Sequence, residues 1–594
     1  MRTLSWLSTL ALALVGWGLR DAVACGGFFC DGQQIDQVGE RVLFTVDSVA
    51  GTVEAQIQIR YSGEAADFSW VVPISAIPEI DVGSDEVFTR LAAATDPAYR
   101  IALTTVNCDL CPVDPLAGFG ERASEAPEAD GDADADGGEV EIVRSGVVGP
   151  YETVVLSSDD PGALTTWLNA NGYDIPPTAE PMIDAYVAAG DYFVGLKLAR
   201  NADTGDLRPV IFRSSQTEPC IPLRLTAIAA SADMPVFAWF LGDGRFVSTN
   251  YLEVRPNDAL FYAAVLSYTE TARRAIDEAG GRAFVTELAA DASDYADTLS
   301  PEGYDADVFR RLDSPVDVMA EIVRQGFSAS QLLLGLLEVY LPPPAGIDSV
   351  SFYNDPGAYA DESYTFDPDA LAEAIEQTFV APLAHVRDAM LRSSKLTRLF
   401  TVISPAEMTM DPEFAIADLP DVPREHVGSA LRDCRDTESV ADDYMEITTP
   451  AGHRFAGGNL EWDGSWWTET EGYVDGGIVG YLPGEMPAAE SIIRHEVTPG
   501  PVPRFYEIEV RDATLAIDAA LSTDAAKTPP DLGSGYCGDE YDPPDPPAEG
   551  SERASGCACE TGGKQPPEAA AAIALVLVAL CARRRHDSGH GRSH

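Results

Sequence analysis

The sequence predicts an α+β protein: an antiparallel β-rich N-terminal domain, a helical middle region, a small β-rich C-terminal module, a Pro/acid stalk and a short C-terminal hydrophobic helix. Three observations carry this. Apolar residues alternate with a period of two between residues 42 and 72, the period changes to near 3.6 from about residue 256, and glycine-rich aromatic sequence returns after Cys434. The segments are 1–24, 25–255 with an acidic insertion at 121–141, 256–433, 434–521, 522–556 and 557–594, the last with an apolar helix at 569–582.

The first segment reads as a signal peptide. Arg2 precedes an apolar run from Leu4 to Leu19, and Ala22-Val23-Ala24 stands before Cys25 as an A-x-A cleavage site. A cysteine after the cut also invites a lipoprotein reading, but the leucine usual three residues before a lipidated cysteine is absent.

Strands follow in order. Val42, Phe44 and Val46 alternate with Arg41 and Thr45. Val53, Ala55, Ile57, Ile59 and Tyr61 then point one way while Glu54, Gln56, Gln58 and Arg60 point the other. Phe68, Trp70 and Val72 repeat the pattern, so the three read as one antiparallel sheet with a wet face. Further strands are expected at Glu152–Leu156, Tyr192–Leu198, Pro209–Arg213, Leu223–Ala229 and Val236–Leu241. Between them Asp160 can cap a helix, Pro161 suits its first turn, Leu164, Trp167 and Leu168 form its buried stripe, and Asn171-Gly172 ends it.

In the middle region Leu332, Leu333, Leu336, Leu337 and Tyr340 share one helical face, with Ser328 as a cap. Leu371, Ile375, Phe379, Leu383, Val386 and Met390 form another stripe, which Pro382 is expected to kink.

Composition bounds the partners. The chain has 594 residues with 96 acidic against 39 basic side chains, a formal charge of -57. Such a field repels phosphate backbones and argues against nucleic acid as a partner. Apolar residues at 45% and charged ones at 23% place the chain in the globular class.

The exported part holds Cys25, Cys30, Cys108, Cys111, Cys220, Cys434 and Cys537. In an oxidising compartment most of these pair, and Cys25 with Cys30 and Cys108 with Cys111 are the simplest bridges. The same four thiols have spacings that suit zinc, or a redox pair, but no thioredoxin-like context surrounds Cys111. Asp130, Asp132, Asp134 and Asp136 before Gly137 resemble the start of a calcium loop. Val143 then occupies the place of the bidentate glutamate, so a solvated acidic insertion is the better reading. No cofactor is called for, and calcium or zinc is a minor alternative.

Asn459-Leu460-Glu461-Trp462-Asp463-Gly464-Ser465-Trp466-Trp467 has the composition of a sugar-binding face, with Trp462, Trp466 and Trp467 as rings. A tight hairpin around Asp463-Gly464 explains the same letters. No catalytic signature is present: His385, His426, His453 and His495 are isolated, and no G-x-S-x-G or H-E-x-x-H occurs.

The stalk at 522–556 is followed by Gly556-Cys557-Ala558-Cys559, an apolar run from Ala569 to Ala582, and Arg583, Arg584 and Arg585. A helix of that run spans about 21 Å against a hydrocarbon core of about 30 Å. This tail resembles the myxobacterial C-terminal sorting signal. The resemblance implies recognition of the tail at the membrane, cleavage by a processing protease, and anchoring at the surface of a Gram-negative cell through Cys557 or Cys559. A slightly short transmembrane anchor is the alternative.

Cys25-Gly26-Gly27-Phe28-Phe29-Cys30, Glu40-Arg41-Val42-Leu43-Phe44, Asp67-Phe68-Ser69-Trp70-Val71-Val72-Pro73, Pro222-Leu223-Arg224-Leu225-Thr226-Ala227-Ile228 and Leu396-Thr397-Arg398-Leu399-Phe400 through Met410-Asp411-Pro412 carry a second resemblance. Over residues 25 to about 425 the chain resembles a family of exported bacterial proteins catalogued as domain of unknown function 2330. The resemblance implies shared architecture and export, and carries no catalytic residues. The expected function is a non-enzymatic binding or structural role at the cell envelope, with carbohydrate or matrix as partner. The alternative is an envelope enzyme, either a glycan- or peptidoglycan-acting hydrolase or a thiol-disulfide protein. Two carboxylates 5–10 Å apart in a deep cleft would favour the hydrolase.

Overall fold

Ten strands form the central sheet. Its order is β22 (Arg504–Asp512), β21 (Ala489–Thr498), β12 (Leu252–Pro256), β13 (Ala283–Asp291), β14 (Lys395–Ile403), β10 (Met234–Gly242), β1 (Asp36–Asp47), β2 (Thr52–Ser62), β9 (Val210–Ser214) and β4 (Glu79–Val82). The computed structural model describes residues 36–62, 69–106, 141–173, 175–198, 207–215, 218–262, 266–361, 363–433, 444–457, 460–462, 467–469, 486–498 and 504–525. Within this sheet β1 runs parallel to β10 and β12 parallel to β13, while the other neighbours are antiparallel.

Both faces of the sheet are covered at its middle strands β1 and β10, which is why the middle of β1 reads Val42-Leu43-Phe44 without a polar interruption. On one face Leu43, Trp239, Leu241, Leu288 and Leu396 meet a layer of helices. These are α1 (Asp85–Thr95), α7 (Ala306–Phe309), α8 (Pro315–Gln325), α9 (Gln331–Tyr340), α10 (Ser349–Asn354), α11 (Pro356–Tyr359), α12 (Pro368–Ile375) and α13 (Ala381–Arg392). On the other face Val42, Phe44, Val53, Phe212 and Phe240 pack against a second sheet, β3 (Ser69–Ile74), β8 (Tyr192–Leu198), β7 (Tyr151–Ser157) and β6 (Glu141–Val148). That sheet carries α2 (Pro161–Ala170) and α3 (Glu180–Ala189) on its far side through Leu156, Leu164, Leu168, Ile183 and Phe193. The layers therefore run helices, sheet, sheet, helices.

Smaller units complete the body. The strands β5 (Ala98–Val106), β16 (Glu425–Asp433), β17 (Tyr444–Thr448) and β18 (Arg454–Gly457) form a third sheet, with β5 and β16 parallel. They share a core with α5 (Ala259–Tyr262), α6 (Tyr268–Glu278) and α14 (Thr514–Ala525). Two ribbons remain, β11 (Arg245–Ser248) with β15 (Phe414–Ala417), and β19 (Leu460–Trp462) with β20 (Trp467–Glu469).

The mixed α+β class and the helices of the middle region are as the sequence predicts. The α2 signals act as read: Asp160 accepts from the N–H of Gly162 and Ala163, and Pro161 opens the helix. The long stripe from Leu371 to Met390 is buried at all six positions. Its break is a π-helical turn at Glu376–Val380, and Pro382, which has no N–H to give, follows it directly in the first turn of α13.

Four details differ. Leu223–Ala229 is no strand: α4 (Leu223–Thr226) forms there, and Asp411 accepts the N–H of Arg224 at its start. The Phe68–Val72 segment does not join β1 and β2, because β3 pairs with β8 in the second sheet. The cap of α9 is Ser330, whose hydroxyl accepts from Leu333, and not Ser328. The polar face of β2 is wet only at its Arg60 end, since helices cover Glu54, Gln56 and Gln58, and Gln56 is 1% exposed. The middle region also contributes β13 and β14 to the central sheet.

One polar group crosses the core. Arg398 of β14 lies over the rings of Phe237 and Trp239, 5.1 and 5.2 Å from their centroids. Its Nε is 2.6 Å from Glu287, and its Nη1 donates to Thr95 and Asp96 at the carbonyl end of α1. A cation is favoured at that end of a helix. Burial raises the Glu287 carboxyl while Arg398 and the Tyr268 hydroxyl oppose the shift.

Candidate functional site

The register of four strands builds the floor of a cleft. Thr45 of β1 stands opposite Glu54 of β2, Glu54 opposite Arg213 of β9, and Arg213 opposite Glu79 of β4. Paired residues project from the same face, so these four side chains form one row on the side covered by the helices. The wall is α13, whose His385, Ala389 and Arg392 follow one another at i, i+4 and i+7 and so share a helix face. Between floor and wall lies an open cleft of about 710 Å3.

Its interior is tied together. The Nε2 of His385 lies 2.9 Å from each oxygen of Glu54. Arg213 donates from Nε to Glu54 Oε2 at 2.6 Å and from Nη1 to Asp81 at 3.3 Å, and Gln56 donates to Glu54 Oε1 at 2.9 Å. Burial works to raise the Glu54 carboxyl, but the bonds and charge of His385, with Gln56 and Arg213, hold it down to about 2. Glu54 is therefore an ionised anchor.

The rim is different. Asp47 ends β1 and Asp243 follows β10, each two positions past the last pair of that ladder, Thr45 with Leu241. The two carboxylates thus leave the sheet side by side. Ser48 donates to Asp243 at 2.8 Å, and Asp47 accepts the N–H groups of Val49 and Ala50 in the β1–β2 turn. Glu79 is exposed, and among the described residues Arg392 has no ion-pair partner. Val49 and Ile77, both exposed, add apolar surface to the same rim.

Sequence spacing could not have found this site, because Glu54 and His385 are 331 residues apart. The usable signal was the run Glu54, Gln56, Gln58 on one strand face, and it pointed to solvent as readily as to a site. The other histidines among the described residues are also partnered. His426 stacks on Tyr99, His453 Nδ1 lies 2.8 Å from Asp518, and His495 Nε2 lies 2.8 Å from Glu253.

Of the residues singled out from sequence, Cys25, Cys30, Cys108, Cys111, Cys557, Cys559, Trp466 and Arg583 to Arg585 lie outside the described residues, as do the acidic run 121–140 and the helix 569–582. Trp462 and Trp467 pair across β19 and β20, a hairpin remote in sequence from the cleft residues. Cys220 is a free, exposed thiol. Among the described residues no group of three or more His, Cys, Asp or Glu could hold a metal ion, and no helix is long and apolar enough to cross a membrane.

No curated protein and no solved structure matches the chain. A family match does cover residues 20–302, which takes in β1 to β13 and stops short of the Leu396–Pro412 stretch read as part of the same resemblance. Over those residues the chain matches the family described as uncharacterized protein conserved in bacteria, domain of unknown function 2330.

Proposed function

We propose that the protein is exported, held at the cell surface through its C-terminal tail, and binds a ligand in the Glu54–His385 cleft without altering it. The observation that carries the binding reading is the state of the dyad. His385 gives Nε2 to Glu54, and among the described residues no hydroxyl or thiol bonds to its ring, whereas nucleophilic catalysis needs such a partner. A glycosidase needs one carboxyl raised to serve as acid, and Glu54 is held near 2 instead. The residues that could catalyse are fixed by one another, and the rim groups stay free to meet a ligand.

Export and anchoring are supported by the signal-like leader and by the cysteine, apolar and arginine pattern of the tail. Carbohydrate or matrix is a partner class suggested by the tryptophan-rich stretch at Trp462, Trp466 and Trp467. The rival reading is an envelope hydrolase.

Calorimetry of the purified exported chain with peptidoglycan and polysaccharide fragments, followed by mass spectrometry of the fragments, tests the choice. Saturable binding is expected, with the fragments recovered intact and binding lost when Ser215→Trp fills the cleft. Cleavage of any fragment that disappears in Glu54→Gln would replace binding with catalysis.

A further inference from the structure

We infer that the cleft takes an amphoteric ligand, a short peptide whose ammonium group lies against Asp47 and Asp243 and whose carboxylate meets Arg392. The inference rests on the binding reading above and adds the chemical class. Four observations converge on it.

First, Asp47 and Asp243 emerge from adjacent parallel strands with a hydroxyl, that of Ser48, already bonded to one of them. Like charges so placed repel, and an ammonium between them relieves the repulsion while donating hydrogen bonds to both. Second, Arg392 is the one guanidinium of the lining without an ion-pair partner among the described residues, since Arg213 is committed to Glu54 and Asp81. A planar fork of donors suits a carboxylate in two-point contact.

Third, the two signs are on different elements. The acids stand at the strand ends and the arginine at the end of α13, seven residues, or about 10 Å of helix, beyond His385. A ligand with one charge would satisfy one end and leave the other bare. Fourth, the exposed Val49 and Ile77 offer small aliphatic contact, and among the described residues no Phe, Tyr or Trp lines the cleft. Sugar recognition relies on ring stacking, whereas a peptide side chain needs only apolar surface. A volume of about 710 Å3 accepts a few residues.

The probes are trialanine, its N-acetyl form, its C-terminal amide, and the trimer of N-acetylglucosamine, titrated by calorimetry into the purified exported chain at low salt. Trialanine is expected to bind, and each blocked form at least tenfold more weakly. Arg392→Ala should weaken trialanine about tenfold and leave the amide unchanged, while Asp47→Asn with Asp243→Asn should weaken trialanine and leave the N-acetyl form unchanged. Both sites are exposed, so a thermal melt checks that the fold is kept. Equal binding of free and blocked peptides, or indifference to both sets of substitutions, overturns the inference. Binding of the sugar trimer alone, abolished by Ser215→Trp, would overturn the peptide class and keep the cleft as a binding site. Binding of neither probe would overturn both.

Discussion

Both carboxylate oxygens of Glu54 lie 2.9 Å from Nε2 of His385, so one imidazole of α13 closes over one carboxylate of β2. The Glu54 carboxyl is depressed from the usual 4.5 to about 2, and a depressed acid stabilises the fold above its unfolded pKa and loses that contribution as pH falls through the folded one. Between pH 6 and pH 2 the wild type should lose about 2–3 kcal/mol more than Glu54→Gln. Urea unfolding of both proteins at the two pH values measures this. Parallel losses would mean that the carboxylate is not held by its neighbours.

Glu40 of β1 shows the opposite sign. It is 3% exposed, and burial raises it to about 7 against the single bond from Gln37. The folded state keeps the proton that the unfolded chain gives up near 4.5, so stability falls as pH rises from about 4.5 to 7. Glu40→Gln keeps a polar partner for Gln37 and removes the charge. It should be more stable than wild type at pH 8 by about 1–3 kcal/mol, with the gain gone at pH 4. A gain independent of pH would indicate packing as its source.

Arg398 and Glu287 are 3% and 2% exposed and 2.6 Å apart. Removing one partner of a buried pair strands the other, typically at about 3–5 kcal/mol, while replacing both by apolar groups is nearly neutral. Arg398→Met is therefore expected to cost several kcal/mol, and Arg398→Met with Glu287→Met to recover most of it. Additive losses in this double-mutant cycle would contradict a direct pairing.

Gly195 of β8 has no room for a methyl group. A Cβ there would lie 2.5 Å from the Tyr173 hydroxyl and 2.7 Å from its ring, and that ring is stacked on Trp167 under the Lys197 ammonium. Gly195→Ala is expected to cost about 1–3 kcal/mol by displacing the ring. Near-UV circular dichroism should change with it. A variant as stable as wild type would show that Tyr173 moves freely.

Mass spectrometry of cell-surface material should find no peptide beyond residue 560. Abundant peptides containing Arg583 to Arg585 would instead identify the tail as a retained anchor.

Much of the fold was legible because it is written locally. Asp160, Pro161 and Asn171-Gly172 mark α2 at both ends, and the strands of residues 42–72 announce themselves by parity. The misreadings arise where local pattern is degenerate. Leu223, Leu225, Ala227 and Ala229 satisfy a period of two although the same residues can turn as a helix, and the choice is made by Asp411, a residue far along the chain. In β2 a polar face looks the same in sequence whether water or a helix covers it. Here Asp85 of α1 meets Gln58 and His385 of α13 meets Glu54, so the site was hidden by the distance in sequence of what completes it.

The strand order of the central sheet also sets how the chain can reach its native state. β14 lies between β10 and β13, and β1 lies beside β10 although about 196 residues separate their paired positions. Loops of that length close slowly, so the sheet belongs to the high-contact-order class whose folding is limited by search and not by local propensity. A chain ending at residue 302, where the family match stops, contains β10 and β13 and lacks the strand that joins them. The matched segment is thus not by itself a unit of folding, and its two bare strand edges would be templates for association until residues 395–403 arrive.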